Sequence, residues 1–137
     1  FPTICKVAAG QQSFLEVFGN DWDTEDGTCI RDYVHVMDVA LGHIKTLEFL
    51  LRNNNQYLIM NLGTGKGTSV LELINKFQNV NNIEIPYKFT SRRKGDTGNV
   101  IADNTLLFET LGWKPTRNIE EMCEEGWRWK INYPHGF

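Results

Sequence analysis

Three stretches carry side chains whose types and spacing could do chemistry. The first runs from Gly27 to Ala40 and sets Arg31 and Tyr33 where a loop meets a helix. The planar guanidinium of an arginine grips a phosphate through two parallel hydrogen bonds and keeps its charge near neutral pH. An ion pair with the adjacent Asp32 is an equally good use of Arg31. The second is the turn Arg92-Arg93-Lys94-Gly95-Asp96, where cations stand beside a carboxylate. That set suits an anionic ligand bearing hydroxyls, with arginine for phosphate and Asp96 for a sugar diol, although a solvated basic turn is the commoner fate of such a run. The third is Gly63-Thr64-Gly65-Lys66-Gly67, between a strand pattern and a helix pattern. A Walker A loop needs Ser or Thr where Gly67 stands, and a dinucleotide loop needs a third glycine where Thr68 stands, so a structural turn is expected.

Other chemistries find little support. His35, His43 and His135 are too scattered for a metal cluster, and no Ser/His/Asp or Cys/His arrangement is present. Cys5, Cys29 and Cys123 show no paired spacing and read as buried, reduced thiols of a cytoplasmic protein. Trp113, Trp127 and Trp129 are expected to close a core. A net charge of -3 argues against a general nucleic-acid binder, so any bound anion must meet locally placed cations. No apolar run reaches the roughly 18 residues that span a bilayer, which argues against a membrane protein. The start at Phe1-Pro2-Thr3, with no signal-peptide layout, reads as that of a fragment.

The elements that must position these residues alternate between helix and strand, which predicts an α/β architecture; 137 residues with 41% apolar content suffice for one packed core. Residues 4–10 look like the end of a helix closed by Gly10, and 14–18 alternate as a strand. Residues 21–27 form an acidic exposed loop. Ala40, Ile44, Leu47 and Leu51 mark the apolar stripe of a helix beginning near Asp38 and ending at Asn53-Asn54-Asn55. Tyr57 to Leu62 reads as a strand covered on both faces. Ser69 and Glu72 form a capping box ahead of the stripe Val70, Leu73, Ile74 and Phe77. Ile83 to Phe89 reads as a strand placed near an edge by Pro86, and Val100 to Asp103 as extended chain. A short helix from Thr105 to Leu111 closes at Gly112, and Asn118 with Glu121 caps a last helix carrying Ile119, Met122, Cys123 and Trp127.

Several blocks in this order closely resemble the C-terminal part of the UDP-glucose 4-epimerases, members of the extended short-chain dehydrogenase/reductase family. They are Val17-Phe18-Gly19-Asn20-Asp21, Thr24 to His35, Asn61-Leu62-Gly63-Thr64-Gly65, Arg92 to Asp96, Leu111-Gly112-Trp113 and Trp127-Arg128-Trp129. The resemblance covers essentially the whole chain. It implies the substrate-binding part of an extended short-chain dehydrogenase/reductase, lacking most of the Rossmann half, because the family's NAD-binding glycine motif and Tyr-x-x-x-Lys pair do not occur in this sequence.

By that resemblance Glu16 and Phe18 lie at the uracil, Arg31 and Arg93 hold the diphosphate, and Asp96 meets the ribose. Val70 lines the nucleotide pocket and Tyr33 supports the Arg31 turn. Position 100 borders the hexose, where a tyrosine restricts the pocket and a smaller residue is linked to N-acetylated sugars; this sequence has Val100. The implied ligands are UDP-glucose, UDP-galactose and UDP-N-acetylhexosamines. The implied cofactor, NAD, is bound by an intact homodimeric parent and not by this segment, which is expected to be inactive alone. The family reaction passes a hydride from C4 of the hexose to NAD and returns it to the other face, so the nucleotide must be held firmly and the hexose loosely. Two alternatives remain at this stage: a related UDP-sugar dehydratase or decarboxylase, and a UDP-sugar-binding module without chemistry.

Overall fold

The computed structural model describes residues 1–53 and 57–136. Helix α1 (Pro2–Ala8) opens with proline at its first turn and ends at Ala9, followed by Gly10 with a positive φ of 69°. It buries Ile4, Cys5 and Val7. Strand β1 (Leu15–Phe18) alternates as expected, turning Leu15 and Val17 inward and Glu16 outward. It pairs in parallel with β4 (Tyr87–Thr90), Leu15 opposite Tyr87 and Phe18 opposite Thr90. This strand is shorter than the pattern at 83–89 predicts. Pro86 cannot donate to a ladder, and pairing begins just after it, where the Pro86 carbonyl accepts from the Leu15 amide at 2.8 Å.

Helix α3 (Val70–Asn81) is capped by Ser69, whose hydroxyl accepts from the Glu72 amide at 3.0 Å. Its stripe Leu73, Ile74 and Phe77 is fully buried. Helix α5 (Ile119–Asn132) carries the complete capping box at Asn118 and Glu121. These two helices close the main core over β1, with Cys123 and Ile85 filling it. Phe77 meets Phe1 and Trp127 edge-on at 6.1 and 6.3 Å between ring centroids. Of the three tryptophans read as core residues, Trp113 is buried, Trp127 packs partly buried on the core, and Trp129 is about half exposed.

A second sheet has the order β3-β2-β5, from β2 (Ile30–Arg31), β3 (Thr68–Ser69) and β5 (Asn99–Val100). Helix α2 (Val36–Arg52) leaves it, two residues earlier than the stripe predicts, because His35 accepts from the Met37 amide through Nδ1 at 3.1 Å and starts the helix there. Helix α4 (Thr105–Leu111) has the predicted bounds and ends on Gly112 at φ 62°.

One predicted stripe lies uncovered, and one predicted strand does not form. The α2 stripe is not a core face here: Ile44, Leu47 and Leu51 are 52%, 58% and 75% exposed. What anchors α2 is its opposite side. Asp38 is buried and accepts from the Thr116 and Arg117 amides, and Gly42 packs against Leu62 and Trp113. Tyr57 to Leu62 belongs to no strand, and Tyr57 and Ile59 are 86% and 76% exposed. A strand exists only with a hydrogen-bonded neighbour, and neither described sheet includes this segment. Of the three asparagines read as ending α2, Asn53 is its C-cap; Asn54 and Asn55 lie outside the described residues.

Candidate functional site

Arg31 is fixed by its place in the middle strand of the second sheet. Its register partners are Thr68 on the antiparallel side and Val100 on the parallel side. Arg31 and Val100 line one open pocket of about 380 Å³ with Asp32, Asn61, Gly63 and Ala102. The guanidinium donates to the Ile30 carbonyl at 2.8 Å, and among the described residues it forms no ion pair.

Asp32, the residue that sequence reasoning offered as the ion-pair partner, does something else. Its carboxylate accepts from the Thr64 amide (2.9 Å), the Thr64 hydroxyl (2.5 Å), the Gly65 amide (2.9 Å) and the Ala102 amide (3.3 Å). The glycine-rich loop 63–67 is thus a turn folded around an internal carboxylate. Its Thr64 and Gly65 amides are engaged by Asp32, so the loop provides no dinucleotide cradle and does not fit NAD. The signal that could have found this was a run of short residues with orphan amides facing an acidic residue in the neighbouring strand.

Phe18, Arg93 and Asp96 form a second group. The Arg93 guanidinium lies 4.4 Å from the Phe18 ring centroid, and its Nε donates to Asp96 at 3.0 Å. Glu16 stands two residues from Phe18 on β1, exposed and opposite Lys88. The turn carrying Arg93 and Asp96 runs directly into β5, so the group adjoins the strand that bears Val100. Arg92 points elsewhere: its Nε donates to Asp21 at 2.8 Å while its guanidinium covers the Trp22 ring at 4.0 Å. From the sequence Arg92 reads only as one cation of the basic turn, and Trp22 only as part of the acidic loop.

Val70 and Tyr33 are placed differently. Val70 opens α3, donates its amide to the Cys29 carbonyl at 3.0 Å, and packs partly buried on the main core. Tyr33 also packs on that core and borders a separate pocket of about 460 Å³ with Lys66, Lys76 and Arg117. Burial raises the Tyr33 phenol above its usual range, and the charge of Arg31 opposes that rise. The two residues therefore feel one another without lining the same pocket.

Asp26 ties the acidic loop to the second sheet. It accepts from the Thr28 amide at 2.8 Å, from the Thr28 hydroxyl at 2.7 Å, and from the Ser69 hydroxyl. Partial burial alone would raise its carboxyl, but these bonds outweigh it and hold the group below its ordinary value. Among the described residues no group of three or more His, Cys, Asp or Glu could hold a metal ion. No described helix is long and apolar enough to cross a membrane.

Arg31 and the Phe18–Arg93–Asp96 group are thus placed by this chain's own strands and turns, and comparison with known proteins shows its family. Residues 1–126 match the family model described as GDP-mannose 4,6 dehydratase. The UDP-glucose 4-epimerase of Bacillus subtilis (strain 168) is 46% identical over 136 residues, 99% of this chain and 40% of that protein. A solved UDP-glucose 4-epimerase from Bifidobacterium longum, in complex with NAD+ and UDP, superimposes with a TM-score of 0.93 at 38% identity, over 99% of this chain and 40% of that one. One from Stenotrophomonas maltophila, with bound NAD and formylated UDP-arabinopyranose, gives 0.92 at 43% identity, over 96% and 39%. The chain thus spans about 40% of the length of these relatives. With Arg31, Asp32 and the 92–96 turn held as described, the chain belongs to the family described as GDP-mannose 4,6 dehydratase, within the extended short-chain dehydrogenases/reductases, and is similar there to a C-terminal segment of the UDP-glucose 4-epimerases.

Proposed function

We propose that this chain is the UDP-sugar-binding portion of an NAD-dependent enzyme that interconverts UDP-glucose and UDP-galactose and also accepts UDP-N-acetylhexosamines. The observation that carries this reading is the pairing of Arg31 with Val100 on adjacent strands, with Phe18, Arg93 and Asp96 clustered at the turn leading into the Val100 strand. A long ligand with an aromatic base, a diol, two phosphates and a hexose needs such a series of groups in such an order.

In this reading Phe18 and the backbone at Glu16 meet the uracil, Asp96 the ribose, and Arg93 and Arg31 the diphosphate. Val70 closes the nucleotide pocket, Tyr33 braces the Arg31 turn, and Val100 borders the hexose. Charge-assisted bonds are roughly twice as strong as neutral ones, so the nucleotide is the firm grip. The small apolar Val100 leaves the hexose free to turn and leaves room for an N-acetyl group. The glycine-rich loop does not fit NAD; in this reading the NAD site and the proton- and hydride-transfer groups belong to other parts of the parent, and the 137 residues are inactive alone. Support comes from the exposed face of α2, where Ile44, Leu47 and Leu51 present apolar surface to solvent, beside the exposed Tyr57 and Ile59. The rest of a homodimeric, cytoplasmic parent covers that surface.

Turnover by the intact protein tests the reading. It should interconvert UDP-glucose and UDP-galactose and also act on UDP-N-acetylglucosamine, and Val100→Tyr should abolish only the latter activity. An intact protein that ignores the N-acetyl substrate refutes the assignment of Val100. NAD binding and turnover by the 137 residues alone would refute the division of labour. The family model's description favours one second reading, a sugar-nucleotide dehydratase or decarboxylase of the same fold. Product analysis separates it: a keto-sugar or pentose in place of the C4 epimer would establish it.

A further inference from the structure

The groups assigned to the nucleotide sit on three separate pieces of chain: the end of β1, the middle strand β2, and the turn from Arg92 into β5. One side chain touches two of them and reaches the third through a single backbone hydrogen bond. Trp22 donates its Nε1–H to the Phe18 carbonyl at 3.1 Å, which holds the acidic loop against the end of β1. Its ring lies beneath the Arg92 guanidinium at 4.0 Å, and Arg92 is locked in place by Nε to Asp21 at 2.8 Å and NH2 to the Asp21 carbonyl at 2.5 Å. The ring also covers Gly98, where an added Cβ would stand 3.2 Å from Trp22 Cε3. Gly98 in turn accepts the Ile30 amide at 2.7 Å, in the strand that carries Arg31.

The neighbouring backbone is shaped to this ring. At Gly19 a Cβ would stand 2.5 Å from Trp22 Nε1 and 2.9 Å from Arg92 Cγ, and φ there is +84°, so position 19 requires glycine on both counts. Arg92 is next to Arg93, and Gly98 lies between Asp96 and Val100 in the chain. A shift of the Trp22 ring therefore displaces Arg93 and Asp96 from one side and loosens the contact of β5 with Arg31 from the other.

We propose that Trp22, with Arg92 stacked on it, is the positioning residue that sets the Phe18–Arg93–Asp96 group in register with Arg31, and that Arg92 acts through this stack and not as a phosphate ligand. The proposal rests on the nucleotide-binding reading above, and its test separates the two. UDP affinity of the intact protein is measured by calorimetry for wild type, Arg31→Ala, Arg93→Ala, Trp22→Ala, Trp22→Phe, Arg92→Met and the Trp22→Ala/Arg92→Met pair, with thermal unfolding as the control on folding. Arg31→Ala and Arg93→Ala should weaken UDP by removing direct contacts. Trp22→Ala should weaken it roughly tenfold, the scale of losing one hydrogen bond and one half-exposed cation–π contact. Trp22→Phe keeps the plate and should recover part of the loss. Because Arg92 works through the ring, the double variant should bind about as well as Trp22→Ala alone.

No UDP binding by the wild type, or binding indifferent to Arg31 and Arg93, overturns the nucleotide-binding reading and the role of Trp22 with it. Binding that depends on Arg31 and Arg93 but is unmoved by Trp22→Ala leaves the reading in place and overturns the role of Trp22 alone. A double variant whose loss is the product of the two single losses makes Arg92 an independent ligand and refutes the stack.

Discussion

Replacing Asp32 by alanine tests the most concentrated set of hydrogen bonds near the site. The carboxylate accepts four, at 2.9, 2.5, 2.9 and 3.3 Å. A hydrogen bond to a charged group contributes roughly 1.5–3 kcal/mol when its partner is left dry. The Gly65 amide is exposed and rehydrates in the variant, and the Ala102 bond is long, so most of the loss comes from the two bonds to Thr64. The expected cost is about 3 kcal/mol. Asp32→Asn should cost less, about 2 kcal/mol, because its oxygen still serves Thr64 while its NH2 faces the Gly65 and Ala102 amides, donor against donor. Thr64→Val removes only the hydroxyl arm and should cost about 1 kcal/mol. Urea unfolding of the chain followed by circular dichroism reads these values. With a slope near 2 kcal/mol/M, Asp32→Ala lowers the midpoint by about 1.5 M. A loss below about 0.5 kcal/mol, the size of an ordinary surface substitution, would refute the idea that Asp32 organises the loop. So would an asparagine variant less stable than the alanine one.

Two further substitutions probe the elements behind the site. At Asp38 burial would raise the carboxyl, but the Arg117 amide, the Thr116 hydroxyl and amide, and the Arg117 charge outweigh it and hold the group below its ordinary value. The unfolded chain then binds the proton more readily than the folded one. The stabilisation from Asp38 is full above the unfolded pKa of about 3.9 and is lost as pH falls through the lower folded value. Urea unfolding between neutral pH and pH 3 should show this decline, and Asp38→Asn should flatten it; an unchanged slope refutes the assignment. His35→Ala removes the α2 cap to Met37 (3.1 Å) and the contact from Nε2 to Glu125 (3.2 Å), and should cost about 1–2 kcal/mol. His35→Asn can still cap and should recover about half of that, read from the same unfolding curves.

Features set by neighbours a few residues away were legible in the sequence. The Asn118–Glu121 box, the Ser69 cap and the Gly112 stop are local hydrogen-bonding patterns, and each stands where its residues predict. The stripe Leu73, Ile74 and Phe77 was legible because α3 finds its cover within the chain, against β1 and α5. The α2 stripe has the same periodicity and stays exposed. A hydrophobic period says that a face seeks cover, not that the cover lies on the same chain. The same distinction explains Tyr57 to Leu62, whose apolar run needs a hydrogen-bonded neighbour to become a strand. Trp22 was illegible for another reason: its contacts to Arg92 and Gly98 cross about seventy residues of sequence, and no local pattern reports such a meeting.

The Gly63–Gly67 loop and Arg31 resembled two rival phosphate sites in the sequence, and the structure makes them parts of one device. The loop does bind an anion through backbone N–H groups, but the anion is the Asp32 carboxylate. Gly63 allows it to come close, since a Cβ there would stand 2.6 Å from Asp32 Oδ2 and 2.5 Å from the Ala102 Cβ. A carboxylate already occupied by backbone amides on one side is a poor partner for the arginine beside it. Arg31 borders the pocket shared with Val100, whose only acidic lining residue among the described residues is the engaged Asp32. The loop that fails as a phosphate cradle thus takes Asp32 away from Arg31, which removes the ion-pair reading weighed from the sequence and leaves the condition that the proposed phosphate grip needs.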